Sequence, residues 1–300
     1  MTLQPLSPDE WRQQGRSFPH HGHEIFYRDS GGNKPPLLLI HGFPTASWDF
    51  YRIWDALAER YRVLAPDLIG FGFSAKPGGH KYSLVDQAEL CGNLCARQRL
   101  EEVHVLAHDY GVSVAQELLA LNEQRRGAIR LKSIAFLNGG LFPEMHRPVR
   151  VQKLLRSPIG RFVAMQMNEE RLTATMRTVF GPNTPPNAEE CRAFWQLIDL
   201  NKGQRNMHKL IRYIDERIAQ RHRWVPAMQF THVPMRLING AADPVSGAHM
   251  AEHYRDLIPN PDIVSLPGIG HYPQVEAPDA VLQALYEFHL RVAKMGWLGI

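Results

Sequence analysis

The segment Val103-His-Val-Leu-Ala-His-Asp-Tyr-Gly-Val112 limits the possible folds more than any other part of the chain. A short apolar run, Val103 to Ala107, leads without a linker into a helical pattern from Gly111 to Leu121. A buried strand that turns directly into a helix is the repeating joint of parallel α/β sheets. This joint has a small residue two before Asp109 (Ala107) and another two after it (Gly111), as a sharp, strained turn requires. The side chain at its centre then stands exposed above the carboxyl ends of the strands. The competing reading is that Asp109 only caps the following helix.

The rest of the chain fits such a sheet. Strands are expected at Glu24 to Arg28 (an edge), Pro36 to Ile40, Tyr61 to Ala65, Leu131 to Leu137, Met235 to Ile238 and Ile263 to Leu266. Helices are expected from Ser47 or Trp48 to Glu59, from Ser83 to about Gln98, from Gly247 to Leu257 and from Pro278 to about Ala293. Residues 140–227 show helical periods, several prolines and no strand pattern. The expected organisation is therefore a core over 1–139 and 228–300, interrupted by a helical cap over 140–227. Strands alternating with helices imply a mostly parallel sheet flanked by helices on both faces.

Composition narrows the function classes. With 44% hydrophobic and 21% charged residues, the 300-residue chain has an ordinary globular balance. No apolar run is long enough to span a bilayer, and the opening MTLQPLSPDEWRQQ has no apolar signal core. The three cysteines form no framework and are read as reduced thiols of a cytoplasmic protein. The net charge of +4 is uneven: residues 147–225 hold 15 Lys/Arg against 7 Asp/Glu, or +8, and the remainder carries −4. That basic segment is read as solvated helix faces, since no aromatic residues alternate with the charges as a nucleic-acid groove requires. No metal, nucleotide or flavin motif occurs, so no cofactor is expected. Gly70-Phe-Gly72 lacks the third glycine of a dinucleotide site. A monomer or homodimer is expected.

An aspartate at the centre of the joint dictates its chemistry. A carboxylate that attacks an acyl carbonyl gives an anhydride, whereas one that attacks a saturated carbon gives an alkyl ester that water can cleave. The substrate is expected to carry an electrophilic sp³ carbon with a leaving group, as in an epoxide or a carbon–halogen bond. Cleaving the ester needs a general base, and His271 follows the last strand in Pro267-Gly-Ile-Gly-His-Tyr-Pro273. An acid must orient it. Asp243 follows the preceding strand; the other available position, at the end of the strand before residue 140, holds Asn138. The backbone N–H groups of Tyr110 and Phe43 are the candidate oxyanion donors.

These residues resemble the epoxide hydrolase and haloalkane dehalogenase branch of the α/β-hydrolase superfamily, from about Glu24 to Leu290. The marks are His41-Gly-Phe-Pro44, Pro66-Asp-Leu-Ile-Gly-Phe-Gly-Phe-Ser-Ala-Lys-Pro77, His108-Asp-Tyr-Gly111 and Gly270-His-Tyr-Pro273. Asn138-Gly-Gly-Leu-Phe-Pro-Glu-Met-His-Arg-Pro148 and Arg223-Trp224 are similar to the mesoderm-specific transcript family, an epoxide-hydrolase-like subfamily. The resemblance implies an α/β-hydrolase fold and an apolar small-molecule epoxide as substrate, with dehalogenation or a non-catalytic binding role as alternatives. Dehalogenases usually place Asn and Trp where this chain has Phe43 and Tyr110. In epoxide hydrolases, cap tyrosines hold the epoxide oxygen. Only Tyr213 is available between Gly140 and Phe230, and His146 or His208 could supply a second donor. Phe142, Phe180, Phe194, Trp195 and Trp224 are candidates for the pocket wall.

Overall fold

The computed structural model describes residues 6–297, with side chains through 294; Met1 to Pro5 of the polar opening stretch lie outside the described residues. The strands are β1 (Gly15–His20), β2 (His23–Asp29), β3 (Pro36–Ile40), β4 (Arg62–Pro66), β5 (Glu102–Ala107), β6 (Arg130–Phe136), β7 (Met235–Gly240) and β8 (Ile263–Leu266). They form one sheet in the order β1-β2-β4-β3-β5-β6-β7-β8. β1 pairs with β2, and β2 with β4, antiparallel; every later pairing is parallel. The chain passes from β3 outward to β4, then returns to lay β5 on the other flank of β3. Ligands of such sheets gather at the carboxyl ends beside this reversal. Ile40 and Ala107, which end β3 and β5, sit there as register partners. Leu37 to Ile40 and Val103 to Ala107 are buried on both faces, which is why these strands read as unbroken runs rather than alternating ones.

The helices are α1 (Pro8–Gln13), α2 (Trp54–Ala58), α3 (Leu84–Arg97), α4 (Tyr110–Glu123), α5 (Arg150–Arg156), α6 (Gly160–Met165), α7 (Glu169–Val179), α8 (Ala188–Asp199), α9 (Met207–Leu210), α10 (Tyr213–Phe230), α11 (Ala248–Leu257), α12 (Pro273–Glu276) and α13 (Pro278–Trp297). Six of them, α5 to α10, lie between β6 and β7. Ser83 caps α3, its hydroxyl accepting from the Asp86 N–H at 3.1 Å. Among the described residues no helix is long and apolar enough to cross a membrane.

Three expectations need correction. β2 is not the edge strand: β1 lies outside it, joined by a two-residue turn in which His21 and Gly22 both have positive φ. Pro19 hides β1 in the sequence, because proline argues against a strand except at an edge, where this one lies. The single helix expected over 47–59 is a 3-10 turn, Ser47–Phe50, followed by the separate α2. Trp48, Phe50, Tyr51, Ile53 and Trp54 are all buried, and one straight helix cannot turn five such closely spaced residues inward. Finally, position 227 falls inside α10, which runs on to Phe230 along α4. There the Trp224 indole N–H donates to Glu117 at 2.7 Å, tying α10 to α4.

The approach of α4 to β3 is tight at one point. A Cβ added to Gly111 would lie 2.3 Å from the Ile40 carbonyl oxygen. Gly111→Ala should therefore cost about 1–3 kcal/mol, the usual penalty for overpacking a rigid contact. Urea denaturation measures it, and an unchanged midpoint would show that the joint is looser than described.

Candidate functional site

Asp109 follows β5 in a backbone conformation that side chains other than glycine's rarely adopt, with φ 46° and ψ −104°. Three backbone bonds hold the turn: His108 N–H to Ile40 C=O (2.9 Å), Asp109 N–H to Asn138 C=O (2.7 Å) and Gly111 N–H to His108 C=O (2.8 Å). Asp109 is the residue before α4, yet its side chain makes no capping bond. Instead its Oδ2 accepts the Phe43 N–H at 2.9 Å. Tyr110 opens α4, so its N–H is one of the first-turn donors without a partner in the helix.

The loop after β8 brings His271 to the same place. Its Nε2 is 3.7 Å from Asp109 Oδ1, and its Nδ1 is 2.7 Å from Asp243 Oδ2. Asp243 also accepts from Val245 N–H, Ser246 N–H, the Ser246 hydroxyl and Asn138 Nδ2. Bonds to the carboxylate fix Nδ1 as the protonated nitrogen and turn Nε2 toward Asp109. Burial works against charge on His271, but the Asp243 and Asp109 carboxylates outweigh it and hold the ring at about 9. For Asp243 burial raises the pKa, and His271 with the Ser246 and Val245 donors brings it down to about 2. Both shifts run in the direction that favours imidazolium beside carboxylate.

Tyr213 opens α10 and is buried, its ring 5.9 Å from that of Phe43 and 5.1 Å from that of Tyr110. Its hydroxyl has no hydrogen-bond partner among the described residues. Burial first, then the Asp109 charge, push its pKa upward, so it is a neutral phenol able to donate. His146 lies with its Nδ1 3.5 Å from Arg217 Nη1 and its Nε2 unpartnered. Burial, Arg217 and His271 hold it at about 3, and it is neutral. His208 is placed elsewhere. It lines an outer groove with His80 and Lys209, its Nδ1 against the Arg205 carbonyl, because α9 turns that side chain outward.

A cavity of about 50 Å³ opens beside His271, Phe43 and Tyr272. Its far wall is aliphatic and comes from α5 and α7, with Val151, Leu155 and Met176 among the lining. None of the candidates Phe142, Phe180, Phe194, Trp195 and Trp224 lines it, and its aromatic lining is Phe43 and Tyr272. These rings have other partners: Phe180 stacks on Tyr272 at 5.0 Å and Phe142 packs on His253 at 4.9 Å.

Some residues at the site had no assigned part in the sequence reading. His108 Nε2 is 2.7 Å from the His271 carbonyl; burial holds His108 at about 3, so the neutral ring donates and braces the histidine loop. Its adjacency to Asp109 was the available signal. Glu276 accepts from the Gly270, Tyr272 and Gly181 N–H groups, clamping that loop to the end of α7, and no local pattern announces it. Arg217 is buried, with its Nε–H on Ser113 Oγ at 2.8 Å and its guanidinium 4.8 Å from the Tyr213 ring centre.

Comparison with known proteins agrees with this architecture. Residues 35–278 match the model of the alpha/beta hydrolase fold family. The mesoderm-specific transcript protein of Mus musculus is 40% identical over 94% of this chain and 88% of its own length. LipZ of Mycobacterium tuberculosis, named as a hydrolase, is 39% identical over 92% of this chain and 95% of its own. The solved epoxide hydrolase CorEH superposes with a TM-score of 0.76 at 19% identity, covering 93% of this chain and 99% of that one, a likeness of fold. Haloalkane dehalogenases are also among the structural neighbours. With a mostly parallel eight-stranded sheet and a family match over most of its length, the chain belongs to the α/β-hydrolase fold family.

Proposed function

We propose that the protein hydrolyses epoxides to vicinal diols through an alkyl ester on Asp109. One observation carries this reading: a carboxylate occupies the strand–helix bend, buried rather than exposed as the sequence led us to expect, with His271 Nε2 3.7 Å away. Asp109 attacks a ring carbon; the carbon–oxygen bond breaks, and the oxygen takes the proton of the Tyr213 hydroxyl. The helical segment over 140–230 acts as the cap that carries Tyr213. Alkylation removes the Asp109 charge, so His271 loses one of the two carboxylates that hold its proton. It gives that proton up, Tyr213 is restored through solvent, and the neutral Nε2 then takes a proton from water. Hydroxide adds to the ester carbonyl, whose oxyanion meets the Phe43 and Tyr110 N–H groups. Collapse regenerates the carboxylate and releases the diol, so epoxide and water are consumed one to one. Phe43 and Tyr110 bring no side-chain nitrogen for a halide, whereas the unpartnered Tyr213 hydroxyl suits an alkoxide; this favours epoxide over haloalkane.

Blocking the second half-reaction tests the reading. His271→Gln incubated with styrene oxide should accumulate enzyme heavier by one epoxide, with the mass on the Asp109 peptide, while Asp109→Ala gains none. Unmodified His271→Gln together with full diol formation by Asp109→Ala would remove the proposal. Tyr213→Phe should slow ester formation by about 10²–10⁴-fold, the usual contribution of a positioned acid. Single-turnover mass spectrometry reads that rate directly.

The charge argument has its own test. Asp109→Asn keeps the shape of the residue and removes its charge, so the His271 pKa should fall below its value of about 9. Imidazole NMR titration follows it. The stability sign is explicit: a raised histidine pKa stabilises the fold fully below the free value near 6.5 and is lost as pH climbs through about 9. Asp109→Asn should therefore flatten the decline of stability between those two pH values.

A further inference from the structure

The basic segment noted in the sequence has a counterpart in the fold. Helix α6 turns Gly160 and Ala164 inward and leaves large apolar side chains in water. Ile159 is 55% exposed, Phe162 70% and Met165 50%, and Leu154 of the neighbouring α5 is 47% exposed. Ile159, Phe162 and Met165 are spaced three apart and so share one face of the helix. That is the reverse of the usual order, in which a helix hides its large apolar residues and shows its small or polar ones. Leu154 and Phe162 meet across a groove of about 560 Å³ that Arg150 and Arg171 also line.

Charge identifies what such a face would meet. Residues 147–168 contain five Lys/Arg and no Asp or Glu. Arg156 is paired with Asp215, but Arg150, Lys153 and Arg161 form no salt bridge among the described residues, and all three are exposed. An apolar ridge inside a basic rim is the pattern of helices that lie in the surface of an acidic lipid leaflet. A second copy of the chain fits less well, because a symmetric interface would set this rim against an identical one.

We propose that the α5–α6 face docks on an anionic lipid surface, with Phe162 and its neighbours in the acyl boundary and Arg150, Lys153 and Arg161 against lipid phosphates. The placement has a consequence for the site. Val151, Met167 and Thr175 line both the outer groove and the cavity beside His271, so a single layer of side chains separates the docked face from that cavity. An apolar substrate dissolved in the lipid would reach the cavity between α5 and α7 without crossing water. This consequence rests on the functional reading above; lipid docking does not, and binding is measured without turnover.

Vesicle co-sedimentation of the full chain tests the docking. The wild-type protein should sediment with phosphatidylcholine vesicles containing about 30 mol % phosphatidylglycerol, and not with phosphatidylcholine alone, since each basic side chain at an acidic leaflet adds about fivefold to partitioning. Arg150→Gln/Lys153→Gln/Arg161→Gln should then lose roughly 100-fold by the same factor. Phe162→Asp should lose more than tenfold. Both variants change exposed positions, and far-UV circular dichroism checks that each remains folded. Failure to bind acidic vesicles, equal binding to both vesicle types, or undiminished binding by folded variants would overturn the proposal. So would a wild-type dimer in sedimentation velocity that Phe162→Asp dissociates, since the face would then belong to a second copy.

Discussion

The closeness of α4 to the end of β3 governs the geometry of the whole site. Gly111 lies under the Ile40 carbonyl, and the chain can enter the helix there only by bending sharply at Asp109. That bend places Asp109 at a positive φ, a cost of order 1–3 kcal/mol for a residue of this kind. The bonds from His108, Asp109 and Gly111 to neighbouring backbone offset it. Asn138, at the end of β6, serves the turn twice: its carbonyl receives the Asp109 N–H, and its amide donates to Asp243. One residue thus connects the backbone of the bend with the carboxylate bonded to His271 Nδ1.

Electrostatics then follow from position. A buried imidazole would ordinarily lose its proton, as His108 next to it does. His271 keeps one because it stands between two carboxylates, Asp243 at 2.7 Å and Asp109 at 3.7 Å. The arrangement responds to chemistry at Asp109: neutralising that group changes the proton affinity of the ring facing it. On the proposed function, alkylation of Asp109 turns this histidine from proton holder to proton acceptor.

Much of this was legible before the structure, and the reasons are local. Short apolar strands buried on both faces, Ser83 as a cap, and the small residues around Asp109 all advertise themselves through chemistry confined to a few neighbouring positions. The helix-cap alternative for Asp109 could be weighed only once the direction of its carboxylate was known. Features that depend on distant partners were hidden. Glu276 clamps Gly181 across 95 positions of sequence. The far wall of the cavity is aliphatic because α5 and α7, not the aromatic residues of the cap, face His271. His208 and His146 look equivalent in the sequence, and only packing separates the outward ring from the one beside Arg217. β1 was concealed by Pro19, a residue whose meaning depends on whether a neighbour lies beyond it.

The central claim is that the oxygen given to product comes from Asp109 and not directly from water. A single turnover in H₂¹⁸O, with enzyme in excess over styrene oxide, separates the two. The account predicts unlabelled diol and ¹⁸O in the Asp109 carboxylate of the recovered peptide. Labelled diol from the first turnover, with Asp109 unlabelled, would contradict it.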